Sequence, residues 1–441
     1  MDFGKVIIKF LGLKDVVIED IKQFEKDLRA EVVVRQFRLS CFCPDCGCEL
    51  KGFHEWVLKE LKGPPMGIYQ VKIKFWQPRG HCEVCARTRM CWVPWIHPRF
   101  TSMTCSFAET AGRLMEEITC EAVGRILNCD SMLLWQLDQW RMELMLTRLQ
   151  LPKGIDVTYL SADEVHFRTL RIENRKGLWA KRWKPEFITN LVCYSEGKVL
   201  FNAMGRGSGS LEDCLKVLSP GQKLAVEKFA VDMHDPFISV VKKELTNAEV
   251  CVDRYHLAEQ INKAFDSVRK SEFKKARDSK NEFVQNMLLP HRRFILVARE
   301  KELSKAEEKL LDKLREVNKE IHTGLLLVEF FHKALDKKNI KSFRAALKTW
   351  YLVARESKLK PFLRLAKTIR KYRKAIEAYI KSRLTTAVSE GINNKIKTLK
   401  RMGYGYTNPT SFRRKILQRC GYLNHLHINT DDFFFTVPNP G

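Results

Sequence analysis

The stretch FITNLVCYSEGKVLFNAMG, Phe187 to Gly205, reads as two short apolar strands joined at Glu196-Gly197. Apolar runs of this length around a Gly-containing turn are the signature of a β-hairpin. Just upstream, VTYLSADEVHF (Val157–Phe167) is a third strand. Downstream come a helix near SLEDCLKVL and further strands at LAVEKFAVDM and AEVCVD. The order β-β-β-α-β-α-β, with the first three strands meandering, is an α/β pattern. In a meander followed by two crossovers, strand four lies beside strand one and strand five lies outside strand four. From about His256 to Arg383 the chain is helical, Lys-rich and almost free of strand signal. Residues 100–150 also read as helical. VVIEDIKQFEKDLRAEVVVRQ (Val16–Gln36) reads as a helix followed by a strand, and DDFFFTVPNPG at the far end as a loosely packed tail.

The chain has 441 residues, and its 78 Lys and Arg exceed 52 Asp and Glu to give a formal net charge of +26. The length implies roughly two to four domains. The charge implies a polyanionic partner, with nucleic acid first and a membrane surface second. Met1 to Leu13 lacks the pattern of a secretory leader. No segment approaches the ~18 apolar residues of a membrane span. The expected compartment is the cytoplasm, where the 14 cysteines serve as thiols or metal ligands.

Cys43-x-x-Cys46 and Cys82-x-x-Cys85 are two knuckles of equal spacing. Such a turn lets both sulfurs face one Zn²⁺, and two turns close a structural four-thiolate site. Val71, Ile73 and Phe75 alternate ahead of the second knuckle, so a strand delivers it, as in a zinc ribbon. Cys41, Cys48, Cys91, His54 and His81 are further candidate ligands. Next, TCEAVGRILNCDSMLLWQLDQW has the form of a helix-turn-helix. Glu121 to Leu127 is the first helix, Asn128-Cys129 the turn, and Asp130 the cap of the second. Ala122, Val123, Ile126, Leu133 and Leu137 would form its core, and Ser131 and Met132 would meet a DNA groove.

Two-metal phosphoryl transfer needs carboxylates in reach of a pair of Mg²⁺ or Mn²⁺ ions about 3.5–4 Å apart. Asp163 lies on strand one, Asp232 at the end of strand four and Asp253 at the end of strand five. Adjacent strands are about 4.8 Å apart. The expected order therefore favours Asp163 with Asp232, leaving Asp253 as the rival. The segment TTAVSEGINNKIKTLKRMGYGYTN (Thr385–Asn408) reads as an amphipathic helix ended by Gly403. Glu390, Asn394, Lys397 and Arg401 line one side by the 3.6-residue period, with Ile392, Ile396 and Leu399 roughly opposite.

The order of zinc knuckles, helix-turn-helix, SADEV, AVDMHDPF, VCVDRYHLAEQINKAFDSVR, RRFILVAREKEL, VSEGINNKIKTLKRMGYGY and FRRKIL resembles the ISL3 family of prokaryotic insertion-sequence transposases over nearly the whole chain. The resemblance implies a multidomain α/β protein with an RNase H-like DDE catalytic domain interrupted by a large all-helical insertion. It implies an N-terminal region with a zinc ribbon over 1–99 and a helix-turn-helix over 100–150. The catalytic core would span 151–257 and, with its final helix and the tail, 385–441, around an insertion at 258–384. It further implies Asp163, Asp232 and Glu390 as ligands of Mg²⁺ or Mn²⁺, with Asp253 and His256 close to the site without completing it. Asn394, Lys397 and Arg401 would contact DNA, and Trp350 would stack on a base or fill the insertion. The partners would be double-stranded DNA, as terminal inverted repeats and target, and further copies of the chain, with no membrane. A nucleophilic Ser or Tyr is not needed, and Tyr404 and Tyr406 lack the surrounding His and Arg. The alternatives are a DNA-binding regulator with a non-catalytic body and a nuclease acting on RNA–DNA hybrids.

Overall fold

The computed structural model describes residues 3–36, 41–173, 179–289, 304–384, 387–403 and 405–425. The chain divides into two units, Met1–Gln150 with Thr398–Gly441, and Leu151–Lys397. The stretch RRFILVAREKEL, Tyr404 and the tail DDFFFTVPNPG lie outside the described residues.

In the first unit, α1 (Phe3–Phe10) precedes β1 (Val16–Phe24), β2 (Arg29–Gln36), β3 (Lys51–Met66), β4 (Tyr69–Cys82) and β5 (Arg87–Met90). The sheet order is β1-β2-β4-β3, with β5 also on β4. The expected helix at Val16 is instead a strand, antiparallel to β2. Its β-branched start, Val16-Val17-Ile18, favours a pleated surface, and β2 is already held in parallel register by β4 and offers it a ladder. Val71, Ile73 and Phe75 of β4 are buried, and the Phe75 ring meets Trp95 at 4.7 Å between centroids.

Three helices follow: α2 (Cys105–Glu117), α3 (Cys120–Leu127) and α4 (Ser131–Thr147). Asn128 takes the left-handed conformation that ends α3, and Asp130 caps α4 by accepting from the Leu133 N–H at 2.8 Å. Val123, Leu127, Leu134 and Leu137 are buried. Ile126, expected in that core, is 55% exposed. Gly124 brings α3 close to the Cys129 carbonyl, so Val123, Gly124 and Leu127 form the inner face and Ile126 turns out.

The second unit holds β6 (Tyr159–Glu173), β7 (Trp179–Cys193), β8 (Lys198–Met204), α5 (Ser208–Leu215), α6 (Pro220–Ala225), β9 (Lys228–Val231), α7 (Asp235–Glu244) and β10 (Glu249–Val252). The order is β10-β9-β6-β7-β8, with β6, β7 and β8 antiparallel and β9 and β10 parallel to β6. Strand four thus lies beside strand one, as the crossovers dictate. Gly197, at φ +60°, makes the hairpin turn. The fourth strand is shorter than expected, because Pro220 at the first position of α6 and a Ser219 capping box draw Leu224 and Ala225 into a helix.

The helices α8 (Arg254–Asp278), α9 (Glu282–Met287), α10 (Lys305–Val317), α11 (Lys319–Leu335), α12 (Ile340–Glu356), α13 (Lys360–Lys371) and α14 (Arg373–Ser382) share one apolar core with Phe265, Phe331, Phe343 and Phe362. Trp350 lies in that core with no exposed surface, and its Nε1–H donates to the Leu327 carbonyl at 2.8 Å. It therefore fills the insertion and has no face for a base. Next, α15 (Ala387–Met402) buries Ile392, Ile396 and Leu399. At Gly403 any side chain would meet the Tyr406 ring at 2.6 Å, which ends the helix in glycine.

In the first unit, α16 (Pro409–Cys420) packs on α4. The Lys415 ammonium donates to Asp138 Oδ2 at 2.9 Å and to the Met115 carbonyl at 2.7 Å, and Gln418 Nε2 donates to Asp138 Oδ1 at 3.2 Å. Asp138 and Lys415 are both buried. Among the described residues no helix is long and apolar enough to cross a membrane.

Candidate active site

Register decides which acids meet. Ser161 of β6 pairs with Ala230 of β9, so Asp163, two residues on, stands level with Asp232 at the end of β9. Asp163, Glu164 and Asp232 bring carboxylate oxygens within 4.8 Å of one another. His256, in the first turn of α8, sets Nε2 at 2.5 Å from Asp232 Oδ1. Asn393 of α15 donates from Nδ2 to Asp163 Oδ2 at 2.5 Å, and the Glu164 N–H donates to Asp163 Oδ1 at 2.7 Å. Ser389, one turn before Asn393, bonds Ser161 of β6, their hydroxyl oxygens 2.5 Å apart. These two contacts fix the face of α15 that meets the sheet.

Burial, reinforced by the charge of Asp232, pushes the Asp163 carboxyl up to about 6. Burial and then the charges of Asp163 and Asp232 push Glu164 up to about 7. The His256 imidazolium is favoured by its bond to Asp232, against the opposing effect of burial, and its pKa is raised. Three crowded carboxylates beside one imidazole leave excess negative charge on hard oxygen donors. That donor set fits a divalent cation of the Mg²⁺ or Mn²⁺ kind.

Not all predicted site residues join the cluster. Glu390 is exposed and lines a hollow with Asp253, Arg254, Tyr255, Ala258, His332 and Ala387. Asp253 is 3% exposed and caps α8, its Oδ1 accepting from the Tyr255 N–H at 3.2 Å. Asn394 and Lys397 are exposed on the Glu390 side of α15, while Arg401, exposed on the same helix, falls in the first unit. Glu164 and Asn393 are the residues that sequence reasoning missed. Adjacency to Asp163 was the available signal for Glu164. For Asn393 it was the i, i+4 spacing from Ser389 on the inward side of the helix.

The first unit gathers Cys43, Cys46, Cys82 and Cys85, whose sulfurs all lie within 4.8 Å of one another. Cys46 and Cys82 stand 3.5 Å apart, close to the ~3.8 Å edge of a tetrahedron with 2.3 Å Zn–S bonds. The Cys85 N–H lies 3.4 Å from the Cys82 sulfur and draws its pKa down to about 7. Four soft donors with one thiolate already favoured fit Zn²⁺. His54 is exposed, and neither it nor His81 belongs to this group. Ser131 and Met132 are exposed in the first turn of α4.

The transposase profile of the ISL3 DDE family matches residues 179–416. The chain belongs to the ISL3 family of transposases. A transposase for insertion sequence element IS1001 of Bordetella parapertussis is 23% identical over 85% of this chain and 87% of its own length. A transposase for insertion sequence element IS1557 of Mycobacterium tuberculosis is 22% identical over 90% of both chains. Among solved structures, the Drosophila P element transposase strand transfer complex aligns at 12% identity with a TM-score of 0.38, over 74% of this chain and 92% of that one. Membership makes this ISL3 protein an insertion-sequence transposase that acts on DNA, and the family implies the use of a divalent metal.

Proposed function

We propose that the chain binds the terminal inverted repeats of its element and performs strand cleavage and strand transfer with Asp163, Asp232 and Glu390 as a DDE triad. The observation that carries this is the meeting of Asp163 and Asp232 at matched register on adjacent parallel strands. The five-stranded order, three antiparallel strands followed by two parallel ones, supports an RNase H-like core. When bound, a pair of Mg²⁺ or Mn²⁺ ions would activate the attacking oxygen and offset charge on the leaving one. The chain's own part is positional. Asn393 holds the Asp163 carboxylate, His256 holds that of Asp232, and β6 and β9 fix both backbones.

Glu390 sits one turn before Asn393 on α15, which supports it as third carboxylate. Glu164, already beside Asp163 and Asp232, is the rival for that place. In the first unit Cys43, Cys46, Cys82 and Cys85 would hold one structural Zn²⁺ in a zinc ribbon, and α3 and α4 would read the repeats as a helix-turn-helix through Ser131 and Met132. Asn394, Lys397 and Arg401 would touch the DNA, Asp253 and His256 would support the triad, and the protein would work in the cytoplasm as a dimer or larger assembly on DNA. Cleavage of a labelled repeat-end duplex in Mg²⁺ or Mn²⁺ tests the proposal. Asp163→Asn and Asp232→Asn should each abolish cutting while repeat binding persists. Normal cutting by either variant overturns the triad, and specific repeat binding without any metal-dependent cutting by the native chain favours the regulator.

A further inference from the structure

Between Ile340 and Lys371 there are ten Lys and Arg and one acid, Glu356. The two helices of this segment, α12 and α13, are joined by three residues. Lys341, Lys348 and Arg355 recur every seven residues on α12, which places them on one stripe. Lys360, Arg364 and Lys367 follow i, i+4, i+7 on α13 and form a second stripe that continues to Lys371. All six are exposed, and none makes an ion pair with a described residue. The opposite faces hold Phe343, Leu347, Trp350, Phe362, Leu365 and Ile369 in the core, so the stripes cannot turn inward. At the seam Arg370 of α13 lies over the Tyr351 ring of α12, 5.3 Å from its centroid.

The α13 stripe ends at Asp235. Lys371 donates to Asp235, and the Tyr372 hydroxyl donates to the other oxygen of Asp235 at 2.6 Å. Asp235 is three residues beyond Asp232 and opens α7. From Lys360 to Lys371 the helix rises about 16 Å. At 3.4 Å per phosphate along one strand, that matches about five nucleotides. An ordinary solvated helix face carries both signs of charge, whereas this one carries a single sign and is anchored beside the candidate active site.

We propose that the α12–α13 hairpin is a sequence-independent phosphate track for the duplex flanking the bond cut at Asp163 and Asp232. The inference rests on the cleavage reading above and gives the helical insertion a role in holding DNA. The partner is duplex DNA, since a straight row of cations at helical spacing meets a regular backbone and includes no group that reads a base.

The test uses the full chain and a duplex carrying the terminal repeat and its flank. In K360Q/R364Q/K367Q the slope of log affinity against log salt should shrink by about 2.7, at 0.9 per phosphate contact. Native and variant affinities should then converge about 40-fold between 50 and 200 mM salt. Hydroxyl-radical protection should be lost within about five base pairs of the cut. The variant K360R/K367R should restore both readouts, and unchanged melting shows that the fold is kept. Should the triple variant melt early, R364Q alone should change the slope by about 0.9. An unchanged slope in a folded variant of a protein that cuts the duplex overturns the track and leaves the cleavage reading intact. Failure of the native chain to cut, with the slope change present, overturns the cleavage reading alone. A loss of affinity for duplex RNA with none for DNA overturns the proposed partner.

Discussion

Replacing Lys415 by Met keeps the stem and removes the ammonium that faces Asp138. Asp138 is 2% exposed, and Gln418 would be its remaining side-chain partner, at 3.2 Å. Stripping one partner from a buried ion pair costs about 3–5 kcal/mol, because the other charge stays buried and uncompensated. The Met115 carbonyl also loses its donor, about 1 kcal/mol of that total. Asp138→Leu combined with Lys415→Met removes both charges and should recover most of the loss, giving a coupling of about 2–3 kcal/mol. Urea unfolding of the full chain measures the sum, and hydrogen exchange in α4 and α16 locates it. A Lys415→Met cost below about 1 kcal/mol, or a double variant no better than the single, would refute the argument. Water or a rearranged side chain would then be stabilising Asp138.

Four further outcomes follow from the sites. Glu390→Gln and Glu164→Gln, assayed separately for cutting, identify the third carboxylate, since the residue whose loss abolishes cutting holds that place; Asp253→Ala should fold less stably and retain some activity, because its carboxylate caps α8. Metal analysis should find one Zn²⁺ per chain, lost in Cys82→Ser, and retention of the metal there would reject the four-thiolate assignment. His97, fully buried with Nδ1 accepting from the Arg99 and Phe100 N–H groups, has its pKa drawn down to about 4 by burial and then by Arg99. Below about pH 6.5 the unfolded chain binds a proton that the folded chain refuses, so up to about 3 kcal/mol of stability present above pH 6.5 is lost as pH falls towards 4. His97→Asn, which can keep an acceptor at that place without the titration, should flatten this acid slope in melting curves. An identical slope in the variant would remove His97 from the explanation.

Local chemistry carried most of what the sequence disclosed. The equal C-x-x-C spacings led to the four sulfurs that the fold gathers, and the meander with its crossovers placed Asp232 rather than Asp253 next to Asp163. What stayed hidden depended on rotation or distance. The face carrying Glu390, Asn394 and Lys397 is exposed, whereas Ser389 and Asn393, only a step around the helix, meet β6. A 3.6-residue period finds both faces without saying which one a sheet will receive. At Val16 the sequence reads as a helix, but an available ladder on β2 decided for a strand. The Asp138–Lys415 pair spans 277 residues, and no local pattern links them.

That separation has a counterpart in time. At roughly 5–20 residues per second of synthesis, Asp138 is made about 14–55 s before Lys415. Until then α4 must keep a carboxylate in a place that has no counter-ion, so its docked form is disfavoured while the second unit is still being translated. A chain broken off after α4 and before Lys415 would carry α2, α3 and α4 without the group that seals them. Such fragments should dock α4 poorly, and the cell's proteases should find them first.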